Sequence, residues 1–172
     1  MRPNAFIPRR ASVPRTAAVL LAALLGMPPV ACAQDTQAAR ATLRGVKAVE
    51  VQVGNIDPDA ERDGLSRSQL QSDVESRLRQ AGITMRPSSE GILYVSVTAA
   101  RGDLNIYAYS LQVAFRQAVN LARDPTIGSV VTTWSVGSGG TLSAAHLSRV
   151  RSIVTELVDQ FISAYLEENP TK

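Results

Sequence analysis

NIYAYSLQVAFRQAVNL, residues 105–121, reads as one long β-strand, and that reading decides the fold. Tyr107, Tyr109, Leu111, Val113, Phe115, Val119 and Leu121 share one side of an alternating pattern, while Ala108, Ser110, Gln112, Ala114, Arg116 and Ala118 share the other. Successive side chains of a strand point to opposite faces, so this segment predicts a sheet with one apolar and one polar face. Asp124-Pro125 turns the chain, and Thr126 to Val136, rich in Val and Thr and carrying Trp134, reads as the partner strand of a hairpin. Gly137-Ser138-Gly139-Gly140 is expected to break the pattern.

Upstream, Leu93, Val95, Val97 and Ala99 mark another half-buried strand, with a turn at Arg101-Gly102-Asp103. Val49, Val51 and Val53 alternate in the same way, and Ile83 to Arg86 reads as a short strand before Pro87. Between them lie an acidic loop, Asn55 to Gly64, and a helix from about Ser66. Ser66 and Gln69 have capping-box spacing, Leu70, Val74, Leu78 and Ala81 recur at helical intervals, and Gly82 stands where a left-handed terminating residue belongs. Downstream, Ser143 to Glu168 predicts a long amphipathic helix with a stripe of Leu147, Val150, Val154, Leu157, Phe161 and Tyr165, stopped by Asn169-Pro170.

The order is β-α-β-β-β-β-α. Each strand has one apolar face and each helix one apolar stripe, so the economical packing is an α+β two-layer sandwich: a mostly antiparallel sheet of four or five strands with two helices on one face. The amino terminus has a different character. Arg2, Arg9, Arg10 and Arg15 precede an uncharged apolar run from Ala17 to Leu25, followed by small residues, as in a secretory signal. The run is shorter than the ~20 residues a membrane-spanning helix needs. Cleavage after Ala33 satisfies the small-residue rule at Ala31 and Ala33 and divides the chain into a signal peptide (1–33), a flexible leader (34–43) and one domain (44–172). The alternative is lipid attachment at Cys32, the only cysteine, although Pro29 stands where a lipobox has an aliphatic residue.

Removal of the signal changes the charge balance. Four of the 18 basic residues lie in it and none of the 15 acidic ones, so the remainder carries net −1. With no basic stripe interleaved with aromatics, nucleic acid is not an expected partner. Loss of Cys32 would also leave no disulfide, thiolate metal ligand or cysteine nucleophile.

The motifs that could carry chemistry are weak. Asp59, Glu61, Asp63 and Gly64 copy the first half of a calcium loop, but position twelve is Leu70 instead of a bidentate glutamate. His146 is the only histidine, without a nucleophile elbow nearby. The glycine run lacks the lysine of a phosphate loop, so neither an enzyme nor a cofactor is expected. Partner contact has better candidates. The polar hairpin face, with Ser96, Thr98, Ser110 and Gln112, carries Arg116 as its only charge, less than a solvated sheet usually shows, and suits a partner, a second copy or a ligand. The Thr126 to Ser135 strand, low in charge, suits strand addition if it lies at an edge. A second possibility is a small apolar ligand between sheet and helices, near Tyr107, Tyr109, Phe115 and Phe161.

LQSDVESRLRQAGI (70–83), ILYVSV (92–97), IYAYSLQVAFRQAVNL (106–121), VVTTWSVGSGG (130–140) and FISAYLEENP (161–170) together resemble a family of uncharacterised small exported bacterial proteins. In order of elements the chain is also loosely similar to the amino-terminal domain of TolB and to envelope lipoprotein domains. The resemblance implies a non-enzymatic periplasmic binding or adaptor module that contacts another envelope protein, by its sheet face or an edge strand. Homo-oligomer formation is compatible with it. No catalytic residue carries over.

Overall fold

The computed structural model describes residues 35–87 and 91–170; the expected signal peptide, its expected cut site and Cys32 lie outside them. The alternation of the long hairpin is realised. Strand β3 (Ile106–Leu121) buries Tyr107, Leu111, Val113 and Phe115 and exposes Ala108, Ser110 and Gln112. It pairs antiparallel with β2 (Ile92–Arg101) on one side and with β4 (Asp124–Ser143) on the other. Strand β1 (Glu50–Val53) runs parallel to β2, which gives a four-stranded sheet in the order β1-β2-β3-β4.

Four helices complete the chain: α1 (Gln37–Ala41), α2 (Pro58–Arg62), α3 (Arg67–Gln80) and α4 (Arg149–Glu168). Helix α3 starts as its sequence predicts, with Ser66 Oγ accepting the Gln69 N–H at 3.4 Å, and Gly82 follows it at φ +75°, a conformation that favours glycine. Leu70, Val74 and Leu78 form its buried stripe. Helix α4 buries Val150, Val154, Leu157, Val158, Phe161, Ala164 and Tyr165. It packs on β3 and β4 while α3 packs on β1, so both long helices lie on the apolar face of the sheet. Each fully buried Val, Leu or Phe contributes on the order of 1.5–3 kcal/mol of transfer free energy. Two salt bridges join the helices, Arg151 to Asp73 at 2.7 Å and Arg77 to Asp159.

Several sequence expectations are corrected. The Ile83 segment is no strand of the sheet: it contributes a single parallel bridge, Met85 to Val49, which leaves four strands. The acidic stretch 55–64 contains helix α2, capped by Asp57 Oδ1 accepting from the Asp59 N–H at 2.9 Å, with Pro58 in the first turn. The glycine run does not interrupt β4, which continues to Ser143. Gly140 faces Tyr109 across the hairpin, and a Cβ there would stand 3.1 Å from the phenol oxygen. The ring thus covers a backbone that has no side chain of its own. Helix α4 begins at Arg149 instead of Ser143, because Ala144–His146 form a 3₁₀ turn first.

The segment expected as a flexible leader is tied to the domain. Leu43 is fully buried, and Asp35 accepts a hydrogen bond from Trp134 Nε1 at 2.8 Å and from Arg40 Nε at 2.7 Å. The carboxy-terminal helix grips the same segment. Arg44 pairs with Glu168 at 2.7 Å and Arg40 pairs with Glu167. Asn169 accepts from the Gly45 N–H at 2.8 Å and donates to the Leu43 carbonyl at 2.9 Å, while the Tyr165 hydroxyl donates to the Val46 carbonyl at 2.6 Å. Backbone groups just after α1 that no regular element satisfies are paired in this way.

Candidate functional site

With both long helices on one side, the opposite face of the sheet is left open. Cross-strand register brings the expected residues together there: Ser96 stands opposite Gln112, and Thr98 opposite Ser110. Strand β4 adds Gly137 beside Gln112, Gly139 beside Ser110 and Thr141 beside Ala108. These three positions were missed in the sequence because the glycine run reads as a break, although Thr141 lies in strict register with Ala108.

Small residues at adjacent positions leave a concavity of about 360 Å³ lined by Ser96, Ser110, Gln112, Gly137 and Gly139 among others. Arg116 marks one end of the face. Its guanidinium carbon lies 3.9 Å from the centroid of the Tyr94 ring, a cation–π arrangement that fixes the charge over an aromatic. Tyr94 is the register partner of Ala114, which lies on this outer side and is nevertheless buried. The surface is therefore a shallow, hydroxyl- and amide-bearing platform closed at one end by a stacked cation.

The two edges of the sheet differ. On the β1 side, Arg67 Nε donates to the Val53 carbonyl at 2.9 Å and Gln71 Nε2 to the Val51 carbonyl at 3.1 Å, so α3 side chains occupy outward acceptors of that strand. On the other side β4 pairs with β3 alone. The Thr126 to Ser135 segment is thus at an edge, the condition for strand addition.

The aromatic candidates occupy two places. Phe115 and Phe161 have ring centroids 5.6 Å apart, and Phe161 also meets Trp134 at 5.3 Å and Tyr165 at 6.0 Å. Tyr107 and Tyr109 lie further along β3. The buried Tyr107 hydroxyl donates to Asp63 at 2.6 Å, and that hydrogen bond, with burial and the Asp63 charge, raises its pKa. The structure therefore joins Phe115 to Phe161 and does not bring the four rings around one space.

The remaining motifs have structural partners. Asp63 also meets Arg101 at 3.6 Å, Asp59 pairs with Arg62, and both acids belong to α2 or its end. Arg101-Gly102-Asp103 opens the β2–β3 turn, where Leu104 and Asn105 take positive φ. His146 Nδ1 lies 2.8 Å from Ser143 Oγ, within one turn. At the amino-terminal clasp, Asp35 is held below the usual carboxylate range by its hydrogen bond to Arg40, against burial and with help from Trp134, and Arg40 is raised in return. No helix of the described residues is long and apolar enough to cross a membrane.

The fold and the site define an α+β two-layer domain with an open sheet face. No protein-family model and no curated protein matches the chain. Among solved structures it is similar to a PelC dodecamer from Paraburkholderia phytofirmans, at 17% identity over 80% of this chain and 97% of that one, with a TM-score of 0.40. It is also similar to a minor lipoprotein from Acinetobacter baumannii, at 11% identity over 73% of this chain and 95% of that one, again with a TM-score of 0.40.

Proposed function

We propose that this is an exported, non-enzymatic module of the cell envelope that binds another envelope protein through the outer face of its sheet. The observation that carries the reading is the platform of Ser96, Thr98, Ser110 and Gln112 with Gly137 and Gly139, opposite the helical layer and bearing only Arg116 as a charge on the two central strands. A face of hydroxyls, amides and glycine backbone offers hydrogen-bond donors and acceptors to a partner with little charge to desolvate. The basic, apolar and small-residue order of residues 1–33 supports export.

The test is site-specific photo-cross-linking in cells. A photoreactive side chain at Ser110 or Gln112 should yield a discrete heavier adduct containing another envelope protein, and the same group at the exposed Glu156 on α4 should not. Adducts from no position, or equally from all three, would refute a face-specific partner. The intact mass of the protein recovered from envelope fractions tests export. A soluble species starting at Gln34 or an acylated one starting at Cys32 supports it, and a species retaining residues 1–33 refutes it.

A further inference from the structure

The β3–β4 hairpin continues past the rest of the sheet. Pairing between β2 and β3 ends at Ile92 and Arg116, whereas β3 and β4 stay paired to Leu121 and Asp124. From Gln117 outward the hairpin is a two-stranded arm, set off by a register shift at Phe115/Arg116 that leaves Thr133 as an extra residue on β4. Such a ribbon is marginal on its own in water; three strands or packing on a helix are ordinarily needed. Yet it carries apolar side chains that the domain does not cover: Val130 is 64% exposed, Ile127 44% and Val131 37%.

Beyond Asp124 and Pro125 at its start, its outer strand carries neither of the two side-chain devices that keep sheet edges apart. Natural edges carry charges, proline or a covering element. Strand β1 has Arg67 and Gln71 on its outward carbonyls. Strand β4, from Thr126 to Ser143, has neither a charged residue nor a proline, over 18 residues that span about 60 Å at ~3.3 Å each. The nearest charges, Arg123 and Asp124, are adjacent and of opposite sign at the tip.

We propose that the free edge of β4 pairs antiparallel with β4 of a second copy of this chain, about a two-fold axis passing beside Val130. Charge selects this occupant. A two-fold axis sets a strand against itself, so any charge near the axis would meet its own like, and this segment has none. The pairing gives each arm its third strand, sets Val130 against Val130 of the second copy, and brings Val131 opposite Ser129 and Ile127 opposite Thr133 of that copy. It also joins the two sheets into one of eight strands. The pairing uses the backbone edge of β4 and the envelope partner is assigned to the face around Ser110 and Gln112, so either can fail alone although Val130, opposite Ala118, stands on that same outer side.

The test is the molar mass of the purified protein by sedimentation equilibrium from about 1 to 500 μM, with the single Trp134 reporting folding by its emission. The expected result is a monomer–dimer equilibrium that Val130→Lys weakens at least tenfold and Val130→Thr leaves within about threefold, with unchanged emission in both. In a Cys32→Ser background, Val130→Cys should form a disulfide-linked dimer under mild oxidation and Leu104→Cys, at the opposite end of the hairpin, should not. A monomer throughout the range, a dimer indifferent to Val130→Lys, or equal cross-linking from residue 104 overturns the proposal. So does a cross-link from position 130 only to a different protein or to the chain's own amino-terminal segment.

Discussion

Replacing Asp35 by Ala removes the contact that ties the first described residue to the core. Trp134 is fully buried, and its indole N–H donates to Asp35 at 2.8 Å. Leaving a buried donor unpaired costs about 1–3 kcal/mol. The Asp35–Arg40 salt bridge, with 18% and 32% of the two side chains exposed, adds at most about 1 kcal/mol after screening. The expected loss is about 2–3 kcal/mol, which at a urea dependence of roughly 2 kcal/mol/M moves the unfolding midpoint down by about 1 M. Trp134 is the only tryptophan, so emission follows the site directly and should shift to longer wavelength in the folded variant. Asp35→Asn keeps an acceptor for the indole and should lose only about 1 kcal/mol. The sign of the pH effect is fixed too. A carboxylate whose folded pKa lies below its unfolded value near 3.9 contributes stability that is present above that value and lost as pH falls through the folded one. An Asp35→Ala midpoint within about 0.3 M of the unaltered chain, with the same emission, would refute the docked arrangement.

Three further outcomes follow from the packing. Phe161→Ala removes the ring that meets Phe115, Trp134 and Tyr165, and should cost about 3–5 kcal/mol in equilibrium unfolding. Gly91→Ala places a Cβ 2.3 Å from the Phe115 ring, so the ring must move; a loss of about 1–3 kcal/mol is expected, and Phe115→Leu in the same chain should recover part of it. Tyr107, raised by its hydrogen bond to Asp63, by burial and by the Asp63 charge, should ionise above the ordinary tyrosine value in an absorbance titration at alkaline pH, and Tyr107→Phe should remove that step. Its contribution is present below the unfolded tyrosine value near 10 and lost as pH rises through the folded one, and Tyr107→Phe should abolish that part of the alkaline loss.

Elements whose logic is local were legible in the sequence. The period of two in Ile106–Leu121, the Ser66 and Gly82 ends of α3 and the stripe of α4 each report on neighbours a few residues apart. Helix α2 had a local signal as well, in Asp57-Pro58, a capping residue followed by proline in the first turn. What escaped depends on distant partners. Residues 35–43 look like a polar leader because the groups that hold them, Trp134, Glu167 and Asn169, lie about 100 residues or more away in the chain. The glycines of β4 look like a break because the ring that shields one of them belongs to Tyr109 on the adjacent strand. The candidate face shows both cases: Ser96, Thr98, Ser110, Gln112 and Arg116 follow from alternation, but the β4 half follows only from register.

The pinning of Asp35 sets the length of a leash. Cys32 lies three residues before it, and a fully extended chain gains at most ~3.6 Å per residue, so the Cα of Cys32 lies within about 11 Å of that of Asp35 whatever path the chain takes. Asp35 sits against Trp134, at the root of the arm, while the turn at Leu104 lies ten residues of strand further along, about 33 Å away. A lipid on that cysteine would moor the domain by one corner with the arm's root held close to the bilayer.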